Sequence, residues 1–365
     1  MKELRVTEES SERELLDVIE TIRQEAGSRL AIMAHYYAPD EVVGLADEVG
    51  DSLALAKKAA ASNAEALLFC GVHFMLETAD ILMNAPEKLA ARNGRRALVI
   101  APDTTAGCPM ADMITYEQAI DWERQLAHLV DVSEFTPITY VNSSAATKAF
   151  CGDRDGAVCT SANAEKVVRD AILKRPKLMF MPDSRLGRTT CLALGFKPEE
   201  IVTWTPNETL GGNSPEALQR AKAILWDGYC PIHQKFSAAV ISELKTKYPN
   251  AKFWVHPEAP REIVELSDGY GSTTKLLQVV ADAEPGETLI IGTEWKLVDR
   301  MRRQNIDKRI VYPSAMASIC DDMSKSTLEK VARVLLAWRN GAPTNVVTTP
   351  ENVAASAYKA LASLL

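Results

Sequence analysis

Residues 30–37 read LAIMAHYY, an apolar run of strand length that ends in polar residues spaced i, i+2, His35 and Tyr37. In extended chain, residues two apart face the same way, so such a pair can aim at one pocket from the end of its strand. The arrangement returns at residues 138–143, ITYVNS, with Tyr140 and Asn142. It returns again at residues 252–258, KFWVHPE, with His256 and Glu258, where Pro257 also keeps His256 extended.

Working outward from these pairs, three further signals follow each of them in the same order. The first is a small-residue turn that opens a helix: GDSLALAKKAA around Ser52, CTSANAEKVVRDA around Thr160 and Ser161, and GSTTKLLQVVADA around Ser272 and Thr273. A hydroxyl at a helix start can cap the helix or help to bind an anion, because free N–H groups point there. The second is another strand and helix: AEALLFCGVHFMLETADIL, KLMFMPDSRLGRTTCLAL and ETLIIGTEWKLVDRM. The third is a strand, a loop and a cysteine. It occurs in ALVIAPDTTAGCPMADM with Cys108, in IVTWTPN running on to DGYCPIHQKF with Cys230, and in RIVYPSAMASICDDMS with Cys320.

One pattern written three times, with strands alternating with helices, predicts an α/β fold of three related domains with mainly parallel sheets. The expected boundaries are residues 1–128, opened by a helix with Ser11 and Glu14 as capping box and Leu15, Val18, Ile19 and Ile22 on one face; 129–240; 241–340; and a helical tail, 341–365. The second copy is longer, and TPNETLGGNSPEALQRAKAILWDGY reads as an insertion with turn chemistry followed by helical spacing. In open α/β sheets ligands bind beyond the carboxyl ends of the strands. Three domains about a pseudo-threefold axis would bring three cysteines to one point, beside three helix N-termini.

The 365-residue chain carries a formal net charge of -8 and has no basic run, which argues against nucleic acid or anionic membrane as a partner. The apolar runs are too short to span a bilayer, and the N-terminus lacks the apolar core of a signal peptide, so a cytoplasmic location is expected. In a reducing compartment the seven cysteines are thiols or metal ligands rather than a disulfide framework. Cys108, Cys230 and Cys320 share a repeat register; Cys70, Cys151, Cys159 and Cys191 do not and read as structural.

Three converging thiolates suit an iron–sulfur cluster, and a four-iron cluster would then keep one iron open as a Lewis acid. Zinc is the rival metal, with His233 of Cys230-Pro-Ile-His233 as a further ligand. Glu258, close to a histidine, is a candidate general base, and Tyr37 and Tyr140 can move protons or orient a carbonyl. A zinc-dependent lyase or hydrolase and a non-catalytic iron–sulfur sensor remain the alternatives at this level.

At these residues the sequence resembles the quinolinate synthase family over essentially the whole chain. The matching segments are AHYYAPDEVVGLADEVGDSLALA, AGCPMADM, YVNSSAATKA, CTSANA, GYCPIHQKF, VHPEAP with SDGYGSTTKLL, and AMASICDDM. The resemblance implies three αβα domains about a pseudo-threefold axis and a [4Fe–4S] cluster on Cys108, Cys230 and Cys320. It implies condensation of iminoaspartate with dihydroxyacetone phosphate to quinolinate, with loss of phosphate and water, for NAD synthesis. The substrate-binding positions it implies are His35, Ser52, Tyr140, Asn142, Ser161, His256, Glu258 and Thr273. Tyr37 and Glu258 match proton-transfer residues and His233 a pocket histidine, and the enzyme that oxidises aspartate to iminoaspartate is an expected partner. FCGDRDGA at 150–157 and the stretch before Cys230 exceed the shortest members of the family.

Overall fold

A computed structural model of the chain describes residues 4–365. Among the described residues, sixteen α-helices and three mainly parallel sheets make an α/β architecture of layered helices and sheets. The first sheet holds β1 (Leu30–His35), β2 (Glu48–Gly50), β3 (Ala66–Cys70) and β4 (Leu98–Ile100). The second holds β5 (Phe135–Tyr140), β6 (Ala157–Cys159), β7 (Lys177–Met181), β8 (Ile201–Trp204) and β9 (Ala223–Trp226). The third holds β10 (Lys252–Val255), β11 (Gly269–Tyr270), β12 (Thr288–Gly292) and β13 (Arg309–Val311). A last short strand, β14 (Val346–Val347), closes the first sheet antiparallel to β4. The chain packs as two compact units. One runs through Cys108 and is joined by Cys320–Glu351; the other is Pro109–Ile319 with Asn352–Leu365 and contains the second and third sheets.

The strand orders restate the sequence repeat. The first sheet runs β2-β1-β3-β4 and the third β11-β10-β12-β13, the same order of second, first, third and fourth strand. The second runs β6-β5-β7-β9-β8. Here the strand beside β7 is β9, and β8 is an added edge. The helical reading of AKAILW is therefore overturned: the helix stops at Arg220, and Ala223–Trp226 is a fully buried strand. Four apolar residues in a row are compatible with either a helix segment or an interior strand, so periodicity could not separate them.

In each sheet the chain leaves the first strand for one neighbour and then crosses to the other side. This creates a switch point between β1 and β3, β5 and β7, and β10 and β12, where α/β sheets leave a crevice for ligands. The register puts His35 opposite Gly50, Tyr140 opposite Cys159, and Val255, just before His256, opposite Gly292. All three polar pairs thus begin at strand tips.

The core of the first unit is built by helix Glu12–Ala26, with Leu15, Val18, Ile19 and Ile22 packed on Ile32, Ala34 and Leu68 and on Val331 and Leu335 of helix Leu328–Arg339. Its N-terminus carries the expected capping box, Glu14 N–H donating to Ser11 Oγ and Ser11 N–H to Glu14 Oε2. In the third sheet Phe253, Val255, Ile263 and Ile290 form a separate apolar cluster that fixes β10 and hence its tip. No helix among the described residues is long and apolar enough to cross a membrane.

Candidate active site

The second compact unit gathers a buried polar group from elements far apart in sequence. Tyr140, at the end of β5, donates its hydroxyl to Glu258 Oε1 at 2.5 Å. Glu258 follows β10 in the stretch His256-Pro257-Glu258, and its carbonyl accepts a hydrogen bond from Gln234 Nε2 at 3.0 Å. The imidazoles of His233 and His256 stack with centroids 4.4 Å apart. His256 Nδ1 lies 3.5 Å from Glu258 Oε1, and His233 Nε2 lies 3.7 Å from Oε2. Tyr140, His233, His256 and Glu258 are all buried. Cys230 donates its thiol hydrogen to Glu258, and Ser161 donates to the Tyr140 phenol oxygen.

Burial sets the protonation states. It pushes Glu258 up to about 8, helped by the charge of Asp183 and opposed by the hydrogen bonds from Tyr140 and Cys230. It pulls His233 down to about 3, so this imidazole is neutral and its contact with Glu258 is not an ion pair. Burial and the nearby Glu258 hold Tyr140 well above the usual phenol range. A carboxyl that keeps its proton at neutral pH beside a phenol and two imidazoles can give and take protons.

Asn142, two residues beyond Tyr140, keeps Oδ1 buried with no hydrogen-bond partner among the described residues. Thr273 is the first residue of helix Thr273–Asp282, and it is the preceding Ser272 whose hydroxyl caps that helix by accepting from Lys275 N–H at 3.4 Å. The first compact unit shows the same arrangement: Asp51, not Ser52, caps helix Ser52–Ala61 through Ala54 N–H at 3.0 Å. Capping is therefore not the task of Ser52 or Thr273. In that first unit, His35 Nδ1 accepts the backbone N–H of Tyr37 at 3.1 Å, and the two rings meet edge to face at 4.7 Å. This fixes the neutral imidazole with its proton on Nε2.

The cysteines sort by burial. Cys70, Cys151, Cys159 and Cys191 are buried, and burial raises their thiol pKa values, to about 12 for Cys70 and Cys191. Cys108, Cys230 and Cys320 are half-buried. Within the first unit the loops of Cys108 and Cys320 are tied together. Gly107 N–H donates to Asp322 Oδ1 at 3.2 Å, Lys325 Nζ to the carbonyl of Thr105 at 2.6 Å, and Lys330 Nζ to Asp103 Oδ2 at 2.6 Å. In the second unit Cys230, His233 and Glu258 bring one ligand atom each within 4.8 Å of one another, a grouping that can hold a metal ion.

Asp183 is the site residue that the sequence reading missed. It follows β7 at the β5–β7 switch point and has no exposed surface. Its signal was available: KLMFMPDS is a strand ending in a polar residue, but it lacks the i, i+2 pair that marked the others.

A three-sheet α/β fold with a buried carboxyl, phenol and imidazole group beside a metal-competent thiol is the arrangement of an enzyme that works on small molecules. The profile of the family described as Quinolinate synthetase A protein matches residues 17–365. A protein of Rhodopirellula baltica named quinolinate synthase is 39% identical over 95% of this chain and 89% of its own length. Another of that name from Herpetosiphon aurantiacus is 40% identical over 96% of this chain and 92% of its own. One from Corynebacterium glutamicum is 37% identical, covering 98% and 88%. The chain belongs to the quinolinate synthase family, enzymes of NAD biosynthesis.

Proposed function

We propose that this enzyme condenses iminoaspartate with dihydroxyacetone phosphate to quinolinate, releasing phosphate and water, with a [4Fe–4S] cluster held by Cys108, Cys230 and Cys320. The observation that carries the reading is the buried Glu258, kept protonated at neutral pH, hydrogen-bonded to Tyr140 and Cys230 and flanked by His233 and His256. Ring formation from an imine and a carbonyl needs protons removed from carbon and delivered to leaving oxygens, and in this reading Glu258 exchanges them. Tyr140 holds Oε1, leaving Oε2 as the exchanging oxygen, which has no hydrogen-bond partner among the described residues. Tyr37, beside His35, is the second proton-transfer group. Ser52 and Thr273 at helix starts, with Ser161 in the turn before helix Ala164–Lys174, hold the anionic groups, Asn142 orients the bound intermediate, and burial excludes water from it.

The three thiols suit a cluster because they escape the full burial that keeps the other four cysteines protonated, and because two of them sit on cross-tied loops. When bound, such a cluster supplies a Lewis-acidic iron that has no protein thiolate. The second reading is a mononuclear zinc on Cys230, His233 and Glu258, favoured by the 4.8 Å grouping of their ligand atoms.

Metal and acid-labile sulfide analysis of anaerobically purified protein separates the two. Iron and sulfide in equal amounts with a brown chromophore support the cluster; zinc without sulfide rules it out. Alanine at Cys108, Cys230 or Cys320 should remove chromophore and quinolinate formation together, whereas C70A and C191A should keep both. A colourless but active C320A enzyme would defeat the assignment.

A further inference from the structure

Next to the residues of the candidate active site, the chemistry above leaves the buried acid Asp183 unused. Asp183 Oδ1 caps helix Ser184–Ala193, accepting the backbone N–H groups of Arg185 at 2.7 Å and Leu186 at 2.9 Å. Oδ2 is equally buried and has no hydrogen-bond partner among the described residues. The adjacent cation does not serve it, since Arg185 Nη1 donates to Asp227 Oδ1 at 2.8 Å and to Ser184 Oγ at 2.6 Å. Capping thus accounts for one oxygen of the carboxylate and not the other.

The sheet fixes where this residue stands. Thr139 is in register with Met181, so Tyr140 and Asp183 leave neighbouring strands at the switch point. On the other side, Asp183 bridges to Gly228, with Ser184 N–H donating to the Gly228 carbonyl at 3.0 Å, two residues before Cys230. Asp183 therefore lies between the segments that carry Tyr140 and Cys230, both of which hydrogen-bond to Glu258. Burial pushes Asp183 itself up to about 7, and in its ionised form it raises both Tyr140 and Glu258, in keeping with that placement.

Asn142 Oδ1 is a second buried acceptor of this region without a partner among the described residues, whereas Glu258 Oε2 belongs to a carboxyl that keeps its proton. Buried acceptors without partners call for a ligand that brings donors, because an unpaired buried oxygen forfeits its hydrogen bonds to water. Of the two substrates in the reading above, only the imine carries N–H.

We propose that Asp183 is a substrate-recognition residue, with Oδ2 accepting a hydrogen bond from the N–H of the nitrogen-bearing dicarboxylate. This rests on the substrate reading given under the proposed function. The residue selects nitrogen over carbon or oxygen at that position and turns the imine so that its carbon faces the triose. Sites built around a hydrogen bond to substrate discriminate strongly against analogues that lack the donor.

The test uses the holoenzyme, aspartate and succinate as dicarboxylates with and without the nitrogen, and D183N and D183S. Both substitutions keep a helix-capping oxygen, and neither presents a second carboxylate oxygen. Aspartate should compete with the imine at least about tenfold better than succinate in the native enzyme, and both variants should erase that preference. They should also raise the KM for the imine by about tenfold and leave the KM for the triose phosphate unchanged. Equal inhibition by the two dicarboxylates in the native enzyme overturns the inference, as does a preference that survives in D183S. If a variant does not fold, the native comparison and the other variant decide. Failure of both dicarboxylates to compete, with no turnover of the imine, would instead remove the substrate reading on which the inference rests.

Discussion

At the scale of single residues, function follows from burial acting on ordinary side chains. Glu258 resembles any loop glutamate in sequence; enclosing it moves its pKa from 4.5 up to about 8, and Tyr140 and Cys230 temper that rise without reversing it. This has a sign. A carboxyl whose pKa is raised on folding favours the folded state fully below the unfolded value. That contribution is lost as pH rises from about 4.5 through 8, because the unfolded chain releases the proton first. Metal-free protein should therefore melt at progressively lower temperature across that window, and E258Q should flatten the slope. The same variant should lose at least about 100-fold in turnover, the usual worth of a positioned acid or base, while keeping the brown chromophore. Loss of the chromophore in E258Q would mark Glu258 as a metal ligand instead. A pH–melting profile identical to that of the native protein would show that Glu258 does not keep its proton on folding.

At the scale of elements, the sequence disclosed those features that recur and hid those that occur once. Polar pairs at the ends of β1, β5 and β10 were legible because the two-residue period of a strand and the repeat reinforced each other. The capping box at Ser11 was legible because it is entirely local. Asp183 was not, since a lone aspartate after a strand is nearly always just a helix cap, and its Oδ2, buried without a partner among the described residues, is visible only in three dimensions. Strand β9 was concealed by its shortness, and the capping roles of Asp51 and Ser272 by the hydroxyl residues next to them. The tie between the Cys108 and Cys320 loops could not be read either, because its partners lie more than two hundred residues apart in the chain. Burial opposes ionisation of Asp103, yet the hydrogen bonds from Lys330 and Thr105 hold it down to about 2. D103N should leave the fold intact, since the pair is partly exposed and such pairs contribute little to stability. It should nevertheless loosen both loops, so that iron is lost to a chelator several-fold faster than from the native enzyme. Equal rates of loss would show that the tie does not hold the loops for the metal.

At the scale of the molecule, the chain returns at its end to the unit it left. After Cys320–Glu351, residues Asn352–Leu365 rejoin the second unit. Helix Glu351–Leu361 meets helix Ala145–Gly152 so closely that a Cβ on Gly152 would fall 1.8 Å from the Ser356 carbonyl oxygen. Beyond it, Ser363 Oγ accepts the N–H of Val158 at 3.1 Å and donates to the same residue's carbonyl, so the terminus occupies the edge of β6. An open strand edge is a template for unwanted pairing, and covering it is a general solution. The helix thus seals the sheet that bears Tyr140 and Asp183, and its seat depends on a position without a side chain. G152A has no flexible neighbour to displace, because the obstructing atom belongs to backbone, and the helices must separate. The expected cost is about 1–3 kcal/mol, visible as a lowered melting temperature. S363A, which removes hydrogen bonds only, should cost about 1 kcal/mol or less. If G152A melts with the native protein, the two helices are not in the contact described. If it melts lower and also forms concentration-dependent aggregates, the uncovered edge of β6 is the cause.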